Sequence, residues 1–315
     1  MILDRRKFLK GVVTAGAAAA VAGGTKLAWP AAPSEAHGSF DFVFFTDTHI
    51  EPELDAAHGC DICFRKIAGM NADFAIMGGD HVYDALGVNR QRANLVFDMY
   101  EKTQQMIGVP LYQTIGNHDA FGVLTKSGIA PGDPYYGKKL YEDRVSRRTY
   151  YSFDHKGWHF VVLDSIQPTE DRLWQALIDD AQLQWLQNDL KGVAPGTPMI
   201  VAVHVPLVTA FATWAPDVDT TRKYNTLSVQ NAPRVIELFA DHNVVAVLQG
   251  HTHVNEVIQL RNTKYITSGA VCGNWWHGPR LGFPEGFTVV SLRDGQISTR
   301  YETYGFKSVD PREKF

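Results

Sequence analysis

Cysteine is scarce in this sequence, and long apolar segments are missing. Only three cysteines occur among 315 residues, and Cys60 and Cys63 form a C-x-x-C pair. The pair fits two apolar positions of a helix; it also has thioredoxin-type redox spacing but lacks the context of that motif, and a four-cysteine zinc site would lack its second pair. A chain of this length buries roughly three quarters of its unfolded surface, so its core needs neither disulfides nor a partner subunit.

Motifs that would assign several common catalytic classes are also missing. The sequence contains no G-x-x-x-x-G-K-[ST], no G-x-S-x-G and no G-x-G-x-x-G after a strand, which excludes nucleotide-triphosphate engines and serine hydrolases. The net charge is −4, and it becomes −7 without residues 1–36. An acidic protein binds long polyanions poorly, so nucleic acid is not an expected partner.

The N-terminal segment has the pattern of an export signal. Arg5 and Arg6 precede a weakly apolar stretch, residues 11–24, that is rich in Ala, Val and Gly. This stretch is shorter than the about 20 strongly apolar residues that span a membrane, so it predicts a twin-arginine signal that is removed. Residues 34–36 offer a small-x-small cleavage site, although nearby prolines leave other positions open. A retained anchor and a fortuitous arginine pair are the alternatives.

These features predict three parts of the chain. They are a signal peptide and linker over residues 1–36, one domain over residues 37–305 and a C-terminal tail over residues 306–315. We expect the twin-arginine export machinery to carry the protein to the periplasm or the extracellular space, and we expect no transmembrane segment in the mature chain.

Five short apolar runs each end in polar side chains that can bind metal ions. The first run, Phe40–Phe45, is followed by Asp47 and His49. Buried strands form nearly continuous apolar runs, and open α/β sheets carry their sites at the carboxyl ends of strands, so this pattern predicts a site at a sheet edge. The other runs span residues 74–77, 109–115, 199–203 and 244–248.

Helical segments alternate with these strands, as in an α/β fold. Further β structure is predicted over residues 149–163 and after His253, which would supply a second sheet packed on the first. Two segments, 121–148 and 206–228, are expected to be loops that shape a ligand pocket. The predicted helices span approximately residues 55–70, 89–107, 181–191 and 233–241.

The polar residues at the strand ends favour a metal site. A lone histidine is more often a hydrogen-bonded core residue, but several at strand ends beside glycines indicate ligands. Mixed carboxylate, imidazole and amide donors suit Mn, Fe or Zn rather than calcium or a structural zinc. The candidate ligands are Asp47, His49, Asp80, Asn117, His204, His251 and His253.

The order of these residues resembles the calcineurin-like metallophosphoesterase superfamily, whose pattern is D-x-H, G-D, G-N-H-[DE], H and G-H-x-H. The resemblance covers about residues 40–301, and the chain is most similar in look to the class III cyclic-nucleotide phosphodiesterase branch. It implies a four-layer α/β/β/α sandwich of two mixed β-sheets flanked by helices. The five blocks read Asp47-Thr48-His49, Gly79-Asp80, Gly116-Asn117-His118-Asp119, His204 and Gly250-His251-Thr252-His253.

The resemblance also implies two divalent metal ions and hydrolysis of a phosphate ester by a hydroxide that bridges them. We expect a small phosphodiester substrate, such as a cyclic nucleotide or a glycerophosphodiester. A phosphomonoesterase or nucleotidase is one alternative, and a non-catalytic metal-binding scaffold is another. By resemblance, one ion would take Asp47, His49, Asp80 and His253, and the other Asp80, Asn117, His204 and His251; spacing alone does not decide which ion each histidine serves.

Four further residues are candidates for catalysis or substrate binding. His118 can stabilise the phosphoryl oxygens or protonate the leaving oxygen, with Asp119 fixing its tautomer and raising its pKa; Asp119 as a mere turn residue is the alternative. A Gly-rich segment, residues 268–278, places Asn274 and His277 beside two tryptophans. This segment is expected either to contact the organic part of a substrate or to pack its tryptophans in the core.

Overall fold

A computed structural model describes residues 38–219 and 221–312. The predicted signal peptide and its cleavage site lie outside this part of the chain. The six helices of the described part are α1 (Ala56–Ala68), α2 (Arg90–Gln104), α3 (Lys139–Arg144), α4 (Asp180–Lys191), α5 (Phe211–Trp214) and α6 (Ala232–Leu238). Its strands are β1 (Phe40–Phe45), β2 (Ala75–Met77), β3 (Leu111–Gln113), β4 (Tyr151–His155), β5 (Trp158–Leu163), β6 (Ile166–Pro168), β7 (Trp174–Ala176), β8 (Pro198–Val203), β9 (Asn243–Gln249), β10 (Glu256–Leu260), β11 (Thr263–Thr267), β12 (Gly286–Arg293) and β13 (Gln296–Thr303).

The strands form two large mixed sheets and one small hairpin. The first sheet has the order β13-β12-β1-β2-β3, in which β1, β2 and β3 run parallel and β12 pairs antiparallel to β1. The second sheet has the order β10-β11-β9-β8-β5-β4, with a parallel centre and antiparallel edge strands. The hairpin consists of β6 and β7. No helix in the described segments is long and apolar enough to cross a membrane.

Aromatic side chains fill the space between the two sheets. The Phe42 ring stacks on Phe74 with centroids 5.0 Å apart, and it meets Phe160 of the second sheet edge-on at 5.6 Å. All three rings are buried. Because β1 and β5 each point an apolar row at the other sheet, this aromatic cluster holds the two sheets face to face.

The outer faces of both sheets are covered by helices. Phe64 of α1 packs edge-on against Phe45 of the first sheet, with centroids 5.4 Å apart. On the other side, Leu186 of α4 and Val235 of α6 belong to one buried cluster with Val201 of β8. The predicted α/β/β/α sandwich is therefore confirmed.

The helix and strand boundaries follow local chemistry. The Asn89 side chain accepts a hydrogen bond from Arg92 N at 2.9 Å, which caps the first turn of α2. Strand β3 is shorter than the apolar run 109–115 predicts, because Pro110 has no N–H to donate and the chain turns at Gly116. The C-terminal hairpin β12–β13 extends the first sheet, whereas the strands directly after His253 extend the second.

Candidate metal centre

The predicted ligands come together where the carboxyl ends of both sheets meet. Three of the ligand-bearing strands, β1, β2 and β3, belong to the first sheet, and β8 and β9 belong to the second. Backbone hydrogen bonds join the loops after β1 and β2, from Asp47 N to Gly79 O (2.9 Å) and from His49 N to Asp80 O (3.1 Å). The site therefore depends on the packing of the two sheets against each other.

Five of the seven predicted ligands have a left-handed backbone conformation that side-chain-bearing residues rarely adopt. Such a conformation costs about 1–3 kcal/mol at each residue and is concentrated at functional sites. It lets a loop reverse immediately after a strand and aim its side chain back over the strand end. The φ angles are 56° at Asp47, 38° at His49, 56° at Asp80, 72° at His251 and 60° at His253.

Glycines make room for these sharp turns. Gly79 has a φ of 102°, and a Cβ there would lie 2.6 Å from Nδ1 of His204. At Gly116 a Cβ would lie 2.2 Å from the backbone nitrogen of Asp80. The glycines in the G-D and G-N-H-D blocks therefore permit close approach of backbone and ligand, in addition to making turns.

A first group of donor atoms is formed by Asp47, His49 and His253. Nε2 of His253 lies 3.2 Å from Oδ1 of Asp47 and 3.2 Å from Nε2 of His49. The Nε2 atom of His49 lies 3.5 Å from Oδ2 of Asp80. These atoms are buried and converge on one small volume.

A second group is formed around the other side of Asp80. Its Oδ2 atom lies 3.1 Å from Nε2 of His204, and that nitrogen lies 3.3 Å from Nδ1 of His251. Asp80 Oδ2 is therefore near histidines of both groups, which is the position of a bridging oxygen. The distances divide the histidines as the family resemblance implies, with His49 and His253 in one group and His204 and His251 in the other.

The donor set fits a pair of divalent cations. Asp47 Oδ1 and Asn117 Oδ1 are buried, yet neither forms a hydrogen bond within the described part of the chain. A buried polar atom without a partner costs free energy, and a cation bound beside it removes that cost. Facing imidazole nitrogens about 3 Å apart, with carboxylate oxygens beside them, also require a cation or a shared proton between them.

Hydrogen bonds from outside the cluster orient the donors. Nδ1 of His204 donates to Gly78 O at 2.8 Å, and Nδ1 of His253 donates to Gly273 O at 2.6 Å. Each bond fixes the tautomer that presents Nε2 to the cluster. Oδ2 of Asp47 accepts from Thr46 Oγ1 (2.6 Å) and leaves Oδ1 directed at the histidines.

The electrostatics of the cluster follow from burial and close pairing. Burial acts to raise the pKa of Asp47, but the charges of His253 and His204 outweigh it and hold that pKa well below its ordinary value. Burial alone would lower the pKa of His204, yet Asp80 and Asp47 raise it to about 9. Burial and the neighbouring His204 lower the pKa of His251 to about 3. The carboxylates of Asp80 and Asp47 therefore favour a proton on His204, whereas His204 disfavours a second proton on His251.

The structure contradicts the expected partnership between Asp119 and His118. Asp119 Oδ2 instead accepts hydrogen bonds from His81 Nδ1 (2.8 Å), Asp80 N (3.0 Å) and Gly116 N (2.8 Å). Asp119, at the end of the 3-10 turn that follows Gly116, is completely buried. Asp119 holds the loops that carry Asp80 and Asn117 and is neither a mere turn residue nor a partner of His118.

His118 has a different carboxylate beside it. Its Nδ1 lies 3.7 Å from Oδ1 of Asp84, and its ring is edge-on to His49 with centroids 4.9 Å apart. Its backbone N–H donates to Oδ1 of Asp80 at 2.8 Å. In the sequence, Asp84 is indicated by its position four residues after Asp80. Its proximity to His118 becomes apparent only in the folded structure.

The two candidate substrate contacts, Asn274 and His277, do not line the cavity at the donor cluster. Nδ1 of His277 donates to Asp310 O at 2.8 Å, so this ring fixes the chain after β13. Neither His277 nor Asn274 lines the cavity at the donor cluster, whereas Trp275, between them, does. Trp276 is fully buried and donates from Nε1 to His49 O at 3.0 Å. One tryptophan of the pair is thus core and the other faces the site.

A cavity of about 560 Å³ opens beside the donor cluster. Its floor includes Asn117, His118, His251 and His253. Eight residues of the segments 217–219 and 222–227 form part of its wall, in agreement with the prediction that the loop over residues 206–228 shapes a pocket. The volume is in the range typical of small-molecule sites, so a phosphate ester with a sizeable organic group fits.

Comparisons with known proteins agree with this architecture. The family model for calcineurin-like phosphoesterases matches residues 40–255. A crystal structure of a dimetal phosphatase from Danio rerio is similar with a TM-score of 0.57 at 14% identity, over 84% of this chain and 99% of that one. A purple acid phosphatase from yellow lupin has a TM-score of 0.52 at 14% identity, over 88% of this chain and 53% of that one. No curated protein sequence matches significantly. Because the family model covers more than half of the sequence, this chain belongs to the calcineurin-like phosphoesterase family.

Proposed function

We propose that the protein hydrolyses a small phosphodiester with two divalent metal ions bound at the donor cluster. One observation carries the proposal: donors from five separate loops converge so that Asp80 Oδ2 lies between two groups of histidines. Asp47, His49, Asp80 and His253 would hold one ion, and Asp80, Asn117, His204 and His251 the other. The donor chemistry suits Mn, Fe or Zn. Bound there, such ions supply a water of lowered pKa and positive charge for the phosphoryl oxygens.

His118 is the residue best placed to handle the proton of the leaving group. It lines the cavity beside the donors, and its side chain is 23% exposed, so a substrate can reach it. Oδ1 of Asp84, 3.7 Å from Nδ1 of His118, is placed to orient the ring. Protonating a departing alkoxide is the step that limits esters with poor leaving groups, so His118 matters most for such substrates.

The charges around the cavity favour a diester over a monoester. A monoester carries two negative charges near neutral pH and a diester carries one, so a monoester site gains more from free cations. The lining cations each have an acidic partner: Arg280 with Asp217 (2.7 Å), Arg222 with Asp219 (3.6 Å), and Lys223 with Asp171 (2.5 Å). A cyclic nucleotide is one diester of suitable size, and a nucleotide monoester is the second candidate.

The test compares bis-p-nitrophenyl phosphate with p-nitrophenyl phosphate in the presence of added manganese. We expect kcat/KM to be higher for the diester, chelation to abolish turnover, and Asn117→Ala to reduce it at least about a hundredfold because a donor is lost. Asn188→Ala is the matched control, since Asn188 is an exposed residue of α4 whose side chain accepts a hydrogen bond from nearby Lys191.

The outcomes separate the alternatives. A higher kcat/KM for the monoester would mean that the protein is a phosphomonoesterase or nucleotidase and not a phosphodiesterase. A folded protein that binds two ions per chain but turns over no ester would make it a metal-binding scaffold. Retention of full activity by Asn117→Ala would contradict the assigned donor set.

Export through the twin-arginine pathway is part of the same proposal. It is supported by Arg5 and Arg6 ahead of a weakly apolar stretch, and a route that carries folded proteins suits a metal site assembled before export. A fusion of residues 1–40 to a reporter should reach the periplasm, and a double substitution of both arginines by lysine should retain the reporter in the cytoplasm. Export of the lysine variant at the original level would contradict this route.

A further inference from the structure

Two tryptophan side chains lie at opposite halves of the donor cluster and line the same cavity. The Trp275 ring is 4.0 Å from His49 and 5.3 Å from His253, measured between ring centroids. Trp174 is 5.9 Å from His251 and nearly perpendicular to it. One indole therefore borders the first group of donors and the other borders the second.

Trp275 is held in place by its neighbours. Trp276 is buried and bonded to the backbone of His49, and Gly59 lies so close that a Cβ there would be 2.2 Å from the Trp276 ring. Trp275 itself has a φ of 55°, a conformation that costs free energy for any residue with a side chain. Its indole is partly exposed and also contacts His118 at 5.0 Å. Trp276 is buried in the core, whereas Trp275 packs on the histidines and lines the cavity.

Trp174 is held in place by its burial and by the β6–β7 hairpin. It lies on strand β7, is 8% exposed and pairs with Pro168 of the neighbouring strand. The cavity wall near it includes Leu86, Leu124 and Leu173. This side of the cavity is therefore apolar, next to a cluster of polar donors.

We infer that Trp174 and Trp275 select phosphate esters that carry a flat aromatic group, such as an aryl or nucleobase-bearing ester, over glyceryl and other small aliphatic esters. The inference rests on the proposed function, since it names the substrate class of that site. A phosphate held at the donor cluster places its ester substituent beside one indole or the other. Indole faces prefer aromatic partners in stacked or edge-on contact, and such a contact is worth up to about tenfold in affinity beyond the buried area.

The test measures binding and does not depend on turnover. Phenylphosphonate and methylphosphonate carry the same anionic group and differ in the substituent. Isothermal titration of the manganese-loaded protein should show phenylphosphonate binding at least about tenfold more tightly, because the phenyl ring adds buried apolar area to the aromatic contact. At least one of Trp275→Ala and Trp174→Ala, namely the variant that removes the indole beside the phenyl ring, should reduce this ratio towards one without weakening methylphosphonate, and the corresponding Phe variant should keep most of the ratio.

A matched substitution distinguishes aromatic recognition from a general effect of losing an indole. Trp185 of α4 contacts Tyr150 and does not line the cavity, so Trp185→Ala should leave the ratio unchanged. A ratio near one in the unmodified protein would overturn the inference, as would a ratio that both cavity variants retain. Equal weakening of both probes would also overturn it, because it would mean that the indoles only support the metal site. If the ratio stands and no ester is hydrolysed, the recognition is upheld and the proposed hydrolysis fails.

Discussion

Asp119→Asn should destabilise the protein strongly, because this carboxylate is buried among hydrogen-bond donors. Oδ2 accepts from His81 Nδ1, Asp80 N and Gly116 N at 2.8–3.0 Å, and Oδ1 accepts from His81 N at 2.9 Å. An asparagine keeps one acceptor and replaces the other by an NH₂ group. Whichever way the amide turns, its donor faces at least one N–H donor of the protein.

The magnitude follows from those contacts. Breaking one partner of a buried pair costs about 3–5 kcal/mol, and a hydrogen bond to a charged group is worth about 1.5–3 kcal/mol. Asparagine retains part of the network, so we expect a loss of about 2–4 kcal/mol in the free energy of unfolding. Because Asp119 positions the backbone of Asp80 and Gly116, we also expect metal affinity to fall by about 10–100-fold.

Urea unfolding of the metal-free protein measures the first effect without the contribution of bound ions. Metal titration of the folded variant measures the second. Asp241→Asn, at an exposed position, is the control and should change the free energy of unfolding by less than about 0.5 kcal/mol. The reasoning is refuted if Asp119→Asn matches that control, or if it alters only the pH dependence of turnover, as a partner of His118 would.

Three further predictions concern other parts of the molecule. Asp84→Asn should lower kcat by about 10–100-fold while metal content stays unchanged, because it orients His118 and binds no ion. Gly79→Ala should unfold or misassemble the site, since its Cβ would lie 2.6 Å from Nδ1 of His204 at a φ of 102°; metal content and melting temperature report this. His159→Gln should destabilise more at low pH than at high pH. Burial acts to lower the pKa of His159, but hydrogen bonds to Asp189 (3.0 Å) and Asp154 (2.7 Å) raise it, so the stabilisation is complete below about pH 6.5 and is lost as pH rises through the raised value.

Each of these has a control or a contrary outcome. Loss of metal from Asp84→Asn would make Asp84 a support of the ligands instead of a partner of His118. Gly132→Ala is the comparison for Gly79, because no atom lies within 4 Å of a Cβ there. For His159, a destabilisation that is the same at pH 5.5 and pH 9 would show that the two carboxylates stabilise no charge on the ring.

The ligand blocks were predictable because metal binding leaves a local signature in the sequence. Asp47 and His49 follow an apolar run directly, and glycines precede Asp80 and His251, so strand ends and donors are adjacent in the chain. The division of these strands between two sheets was not predictable, since apolar runs look alike whichever sheet they join. For the same reason, the sequence did not predict that β12 and β13 join the first sheet.

Roles that depend on contacts between distant residues were harder to predict. Asp119 is next to His118 in the sequence, yet its side chain points to His81, because a tight turn separates the directions of adjacent side chains. Trp174 lies in a short hairpin with no motif around it, and only the fold brings it to His251. The Gly-rich segment 268–278 predicts His277 as a substrate contact, because it groups Trp, Asn and His shortly after the H-x-H block, whereas the His277 ring bonds to the backbone of Asp310.

The placement of donors on both sheets has a consequence for residues far from the chemistry. Each ion would be held by residues of the first sheet, such as Asp80, together with histidines that follow strands of the second. The packing of the two sheets therefore sets how far the donors that follow strands of one sheet lie from those that follow strands of the other, and the Phe42–Phe160 contact is part of that packing. Substitutions in that aromatic layer can therefore shift the donors and change turnover, although the substituted side chains do not contact the substrate.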